Sequence, residues 1–252
     1  MQHVAIRIRL NLWLTVILAT VVIPALSHSF EMGISSAQVS PIASIYYTTS
    51  GPQVRPKGVL YTLGQYIENH TKENTRYTVI GRNQVDPMLQ QGTLQSVCYT
   101  QESWHTDNET LVFTKPFMKD RNILVSINPR IKPIKSFDDL NDLSIGLIKY
   151  YVYPKLQPVL DAGTVKPVYF NREIYNVISL FRDSKIDLIM IKEATLKHFL
   201  QVMPDIVGGD KVFIHPLSMG EILVSCALSK PYKHYLPALN NAIDAYVADH
   251  PL

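Results

Sequence analysis

Aromatic residues that lie close to charged residues are the strongest chemical signal in this chain. Trp104 stands between Glu102 and Asp107, and Lys192 follows an apolar run. Aromatic faces bind flat, apolar or cationic molecules, whereas a fixed charge selects a ligand of opposite charge. We therefore expect a small-molecule binding site. The candidate ligand-binding residues are Tyr46, Tyr47, Glu102, Trp104, Asp107, Tyr150, Tyr151 and Lys192.

Each candidate also has a purely structural explanation. The aromatic residues could pack in the core or coat the surface, and Lys192 with Glu193 could form a solvated helix start. His105 is expected to be an exposed loop residue. The sequence has no G-x-S-x-G, no H-E-x-x-H, no glycine-rich phosphate loop and no recognisable Cys–His arrangement. We therefore expect no catalytic residue, no metal site and no cofactor.

Residues 1–27 have the features of a secretory signal peptide. Arg7 and Arg9 form a positive start, and the apolar run at 10–23 is too short to span a bilayer comfortably. A proline and small residues follow, ending at Ser27. We predict cleavage near Ser27, which leaves an exported, soluble protein. An uncleaved membrane anchor is the alternative.

The charge of the mature chain is close to neutral. The whole sequence carries +3, and the signal peptide removes Arg7 and Arg9 but no acid, which leaves +1. A nucleic-acid partner would require a basic face. The charge therefore excludes nucleic acid as an expected partner and disfavours other polyanions.

Cys98 and Cys226 are the only cysteines in the sequence, and each lies in an apolar, strand-like run. An exported protein meets an oxidising compartment, so a disulfide is allowed. Two buried, unpaired thiols are the simpler explanation, and we favour it while leaving the pair open. Without a nearby cluster of His or acidic residues, the cysteines predict no metal site.

Strand and helix patterns alternate in two series, separated by a charged segment with two prolines near 129–136. The first series has strands at 42–48, 77–80, 94–99 and 123–128, with helices at 58–69 and 85–91. The second has strands at 143–148, 165–170, 186–191 and 221–229, with helices at 153–160, after Asn171, at 193–202 and after Ser229. Two such series predict two α/β lobes with largely parallel sheets.

Four segments in this order carry a family resemblance: VDPMLQQGTLQSVCY, LVFTKPFMKDRNILVSIN, SFDDLNDLSIGLIKYYVYP and LFRDSKIDLIMI. Together they resemble the bacterial family 3 solute-binding proteins, whose best-known members bind amino acids. The resemblance implies the two-lobed type II periplasmic-binding-protein fold, in which a ligand lies in a cleft between the lobes. Lobe 1 would be 28–125 plus 218–252, and lobe 2 would be 126–217. Strands near 123–128 and 223–228 would cross between the lobes as a hinge.

The resemblance also implies two ligand anchors. In amino-acid binders of this family, an Arg before the second motif clamps the ligand carboxylate, and an Asp after the fourth takes the α-ammonium group. Counting along this sequence gives Asp107 and Lys192, so both charges are reversed, and no Arg lies between Gln84 and Lys119. We therefore do not expect a standard α-amino acid. In a polarity-swapped pocket, Lys192 would meet a ligand anion, and Glu102 or Asp107 a ligand cation.

The function implied by the resemblance is that of a periplasmic, monomeric protein that captures a small solute for an ABC-type importer. Its partners would be the solute and a membrane permease. Ligand sensing for a membrane signalling protein is the alternative. A dehydratase-like enzyme on the same fold and a degenerate fold with a structural role remain open, but the missing Arg disfavours an enzyme that acts on a carboxylate.

Overall fold

The chain folds into a mixed α/β structure, seen here in a computed structural model that describes residues 29–183, 186–204 and 212–251. The expected signal peptide lies outside these residues. The strands are β1 (Ser29–Ser35), β2 (Ile45–Thr48), β3 (Gly51–Val54), β4 (Asn74–Ile80), β5 (Ser96–Thr100), β6 (Leu111–Phe113), β7 (Met118–Ser126), β8 (Ser144–Ile148), β9 (Lys166–Phe170), β10 (Leu188–Lys192), β11 (Phe213–Ile214) and β12 (Glu221–Ser229). The α-helices are α1 (Val59–Thr71), α2 (Arg82–Gln90), α3 (Gln157–Asp161), α4 (Glu173–Ile178), α5 (Glu193–Val202) and α6 (Leu236–Asp249). Within these described ranges, no helix combines the length and the apolar character that a membrane span requires.

Two half-sheets with parallel centres form the two lobes. The first has the order β4-β1-β5-β12, and β1 runs parallel to both β4 and β5. The second has the order β7-β10-β8-β9, and β8 runs parallel to both β10 and β9. One antiparallel strand completes each half, β12 against β5 and β7 against β10. The prediction of a two-lobed α/β fold is therefore confirmed.

Two long strands, β7 and β12, cross between the half-sheets. Residues 118–121 of β7 pair with residues 221–224 of β12 in an antiparallel ribbon. Beyond this ribbon, β7 continues into the second half-sheet beside β10, whereas β12 continues into the first beside β5 and β6. The lobes are thus joined by two neighbouring strands.

Helices cover both faces of each half-sheet. On one face of the first, α1 contributes Leu60, Leu63 and Ile67 to a core shared with β1 and α6. Helix α2 packs on the opposite face with Val85 and Leu89. In the second half-sheet, α4 and α5 cover one face, and the segments around Leu140 and Leu156 cover the other. Since both faces are buried, β8 and β10 are apolar runs, as is typical of parallel sheets.

The first strand differs from the sequence prediction of a strand at 42–48. β1 takes the central place between β4 and β5, whereas only Ile45–Thr48 is extended in the predicted segment. That short strand, β2, pairs with β3 in a separate hairpin. The aromatic and β-branched composition indicated an extended conformation. It did not indicate the pairing partner, which depends on residues distant in the chain.

Cys98 and Cys226 form a disulfide, so the favoured expectation of unpaired thiols is wrong. The two residues are buried and directly opposite each other across β5 and β12. An apolar strand is equally compatible with a free thiol and with a disulfide, so the local sequence did not distinguish the two. Only the pairing of two strands distant in sequence brings the sulfur atoms together.

Replacing both cysteines with alanine is expected to lower the free energy of unfolding by about 2–5 kcal/mol. The bond joins residues 128 positions apart and therefore restricts a long loop of the unfolded chain. Guanidinium denaturation of the oxidised protein, the reduced protein and the C98A/C226A variant measures the loss. The double variant should not respond to reductant. Equal midpoints for oxidised and reduced protein would contradict a stabilising role for the bond.

Candidate functional site

The carboxyl ends of strands from both lobes meet in one cleft. β1 ends at Ser35, β5 at Thr100 and β10 at Lys192, and all three residues line a cavity between the lobes. Ligands of open α/β sheets bind at such strand ends because the loops that follow converge there. The cavity is narrow, about 50 Å³, which is room for a few water molecules. The cleft therefore suits a small solute.

A buried ion pair lies at the wall of this cleft. Lys192 Nζ is 2.5 Å from Glu173 Oε1, and both side chains are only 6% exposed. Glu173 also accepts hydrogen bonds from the hydroxyl groups of Tyr151, at 3.2 Å, and Thr195, at 3.4 Å. The alternative of a solvated helix start at Lys192 is therefore wrong. The ammonium group is buried and neutralised by a carboxylate of the protein itself.

Two tyrosine rings flank the Lys192 ammonium group. Its nitrogen lies 5.2 Å from the ring centre of Tyr99 and 4.8 Å from that of Tyr151, within the range of a cation–π interaction. Burial, reinforced by the negative charge of Asp120, raises the pKa of Tyr99 well above its ordinary value. Burial and the charge of Glu173 do the same for the pKa of Tyr151. Both phenols thus remain neutral hydrogen-bond donors over the physiological range.

Arg82 is a second cation of the cleft, and the sequence did not single it out. It begins α2, lines the cavity, and its side chain is 13% exposed. Its guanidinium lies 3.6 Å from Asp86 Oδ1, which is longer than an ordinary N–H···O hydrogen bond. Most of its donors are therefore not engaged by Asp86.

Asp86 pairs with Arg82 and also forms a hydrogen bond with His105. His105 is buried, and its two ring nitrogens lie 2.8 Å from Asp86 Oδ1 and 2.8 Å from Thr100 Oγ1, so the expectation of an exposed loop residue is wrong. Partial burial pushes the pKa of Asp86 upward, but the hydrogen bond with His105 and the charge of Arg82 outweigh it, so this pKa lies below its ordinary value. Asp86 is therefore a stable carboxylate that holds Arg82 from one side.

Gln38 contributes an unsatisfied amide to the same cavity. The residue is 4% exposed, and its Oε1 atom is buried without a hydrogen-bond partner among the described residues. An unpaired buried acceptor is costly, so such atoms are usually satisfied by water or ligand. A single Gln in a loop carries no charge or periodicity, and the sequence therefore gave no signal for it.

The structure brings three of the eight sequence candidates together. Trp104, Tyr151 and Lys192 line the cavity. The other five are exposed residues that do not line this cavity: Tyr46, Tyr47, Glu102, Asp107 and Tyr150. Tyr46 and Tyr47 lie on the β2–β3 hairpin, Glu102 and Asp107 on the connection after β5, and Tyr150 on the connection after β8.

The described residues contain no candidate metal site. Across residues 29–183, 186–204 and 212–251, no three His, Cys, Asp or Glu side chains are grouped so that they could hold an ion.

Solved structures of amino-acid-binding proteins have the same fold. A substrate-binding protein of an amino acid ABC transporter superposes with a TM-score of 0.69 at 17% identity, over 88% of this chain and 95% of its own. AbpA from Streptococcus pneumoniae, bound to L-arginine, gives 0.69 at 14% identity over 88% and 90%. An ancestral arginine-binding protein bound to arginine gives 0.68 at 17% identity over 88% and 93%.

These similarities establish the fold that the sequence resemblance implied, the two-lobed type II periplasmic-binding-protein fold. No protein-family model matches the sequence, and no curated protein matches it. At this level of identity the shared feature is the architecture, and the ligand has to be inferred from the cleft itself.

Glu173→Gln is expected to lower the free energy of unfolding by about 3–5 kcal/mol, because it leaves the Lys192 charge buried without a partner. Adding Lys192→Met should restore most of the loss, since the pair is then replaced by neutral groups. Urea denaturation of the single and double variants measures both effects.

Asp244→Asn is the matched control for this experiment. It removes the Lys115–Asp244 ion pair, in which both side chains are 55% exposed, and it should cost less than about 1 kcal/mol. If Glu173→Gln cost no more than this control, the buried pair would not have the importance that its burial indicates.

Proposed function

We propose that this protein is an exported, monomeric solute-binding protein that holds a small molecule between its lobes for delivery to an ABC-type importer. The observation that carries the proposal is the position of the cavity, where the ends of β1, β5 and β10 meet between two lobes. The lobes correspond to 28–125 plus 218–252 and to 126–217. Both the fold and the place of the cavity support capture of a solute.

Opening of the cleft would break the contacts that join the lobes, among them the contact of the Lys192 ammonium group with the Tyr99 ring. Across the lobes, the Arg172 guanidinium lies 5.1 Å from the ring centre of Tyr47, and the backbone N–H of Glu173 donates to the carbonyl of Ala37 at 3.3 Å. Val39 also packs against the core of the second lobe. The crossing ribbon of β7 and β12 can bend while each lobe stays rigid, which is the usual geometry of hinge closure.

The solute is proposed to be something other than a standard α-amino acid. Two neighbours with this fold are bound to arginine. In this chain, none of the described residues that line the cavity is an acid. A ligand ammonium group would therefore find no carboxylate on the cavity wall to pair with.

Export is the first part of the proposal to test. When the whole chain is expressed in a bacterial host and recovered from the periplasm, its intact mass should correspond to a protein that begins at His28. Signal peptidase cleaves after a small residue, and Ser27 offers that residue. Recovery of the uncleaved chain from the membrane fraction would instead support a membrane anchor.

Solute binding can be followed through Trp104, which lines the cavity and is the only Trp after residue 27. A screen should include amino acids, polyamines, small carboxylates, nucleosides and short peptides. One class is expected to raise the melting temperature by mass action and to change the Trp104 fluorescence. A melting shift without a fluorescence change would place the solute away from the cleft. No response to any class would overturn the proposal.

A further inference from the structure

We propose that the cleft binds a small carboxylate that carries an O–H or N–H donor and no ammonium group, with Arg82 as anion anchor and Gln38 as acceptor. The inference rests on the proposed solute-binding function and names the chemical class of the solute. It starts from the charges of the described residues that line the cavity, which include two cations, Arg82 and Lys192, and no acid.

An ammonium group has no free carboxylate nearby to pair with. Glu173 is occupied by Lys192, Tyr151 and Thr195. Asp120 accepts from the Tyr99 hydroxyl at 2.6 Å and from the backbone N–H of Arg121 at 2.8 Å, so both of its oxygens are engaged. A ligand cation would have to displace one of these buried donors and would then lie close to the Lys192 ammonium. Both effects oppose binding.

A carboxylate, in contrast, has an available partner. Lys192 is neutralised by Glu173, whereas the ion pair of Arg82 with Asp86 is long, at 3.6 Å. A guanidinium presents several N–H donors in a planar fork that matches a carboxylate. Asp86, held by His105, restrains Arg82 from one side and leaves the remaining donors for the cavity.

Gln38 adds the requirement for a donor on the solute. Its Oε1 atom is buried in the cavity wall and has no hydrogen-bond partner in the described part of the chain, and an O–H or N–H group of the solute would satisfy it. Val85, Val97 and Trp104 provide apolar wall around these polar groups. The cavity of about 50 Å³ suits a small acid.

Four compounds with the same carbon frame test this class: lactate, propionate, alanine and lactamide. Lactate has the carboxylate and the hydroxyl donor, propionate lacks the donor, alanine adds an ammonium group, and lactamide lacks the negative charge. Titration of the purified, exported protein by calorimetry, with Trp104 fluorescence as a second signal, gives the affinities. Lactate is expected to bind tightest, and alanine and lactamide at least about tenfold more weakly.

Substitutions of Arg82 and Gln38 test their proposed roles as anion anchor and acceptor. Arg82→Gln is expected to weaken lactate binding by about 10- to 100-fold, and Arg82→Lys by less, since it keeps the charge but loses the fork. Gln38→Leu should remove the preference for lactate over propionate, because the acceptor that distinguishes the two acids is then lost. Arg76→Gln is the matched control. Arg76 is an exposed Arg of β4 that pairs with Glu31 away from the cavity lining, and its loss should not affect lactate binding.

The outcomes separate the inference from the function on which it rests. If alanine binds as tightly as lactate, or if folded Arg82→Gln binds lactate as the wild type does, the assignment of a carboxylate at Arg82 is wrong. Binding of a different solute class by the same protein, without any response to these acids, would overturn the inference and leave solute binding intact. Failure of every class in the broader screen would overturn both.

Discussion

Burial of the Lys192–Glu173 ion pair between the two lobes is the constraint that shapes the cleft. Removing two charges from water is expensive, and the pair is tolerated only because the surrounding groups compensate for that cost. Tyr151 and Thr195 donate to Glu173, and the faces of Tyr99 and Tyr151 contact the ammonium group. Tyr99 belongs to the first lobe, whereas the other groups belong to the second. The Lys192–Glu173 pair therefore has all of these compensating contacts when the two lobes are together.

The end of β5 must be rigid for this arrangement to hold. Tyr99 has a φ of 67°, a left-handed conformation that is unfavourable for an L-residue and persists where the surroundings enforce it. The disulfide from Cys98 to Cys226 fixes the preceding residue, and Ser225 Oγ donates to the carbonyl of Thr100 at 3.3 Å. The strand end that carries Tyr99 and Thr100 into the cleft is thus fixed from both sides.

The solved structures with this fold share its architecture at low sequence identity. Half-sheets, crossing strands and covering helices depend on apolar patterns that many sequences satisfy, which is why the fold persists at 14–17% identity. The apolar patterns that determine the fold do not fix the charged residues at the strand ends. In this chain they leave two cations and no acid among the described residues of the cavity wall, and the proposed solute class rests on that balance.

The sequence by itself determined what depends on local pattern: the alternation of strands and helices, β12 at Glu221–Ser229, α5 at Glu193–Val202, and Trp104, Tyr151 and Lys192 as candidates for the cleft. Apolar periodicity and aromatic clusters are visible over a few residues. The tertiary structure alone decided the central place of β1, the disulfide, the burial of Lys192 against Glu173, and the presence of Arg82 and Gln38 at the cavity. Each of these depends on which distant segments become neighbours, and strand pairing settles that choice through long-range packing, which no short stretch of sequence contains.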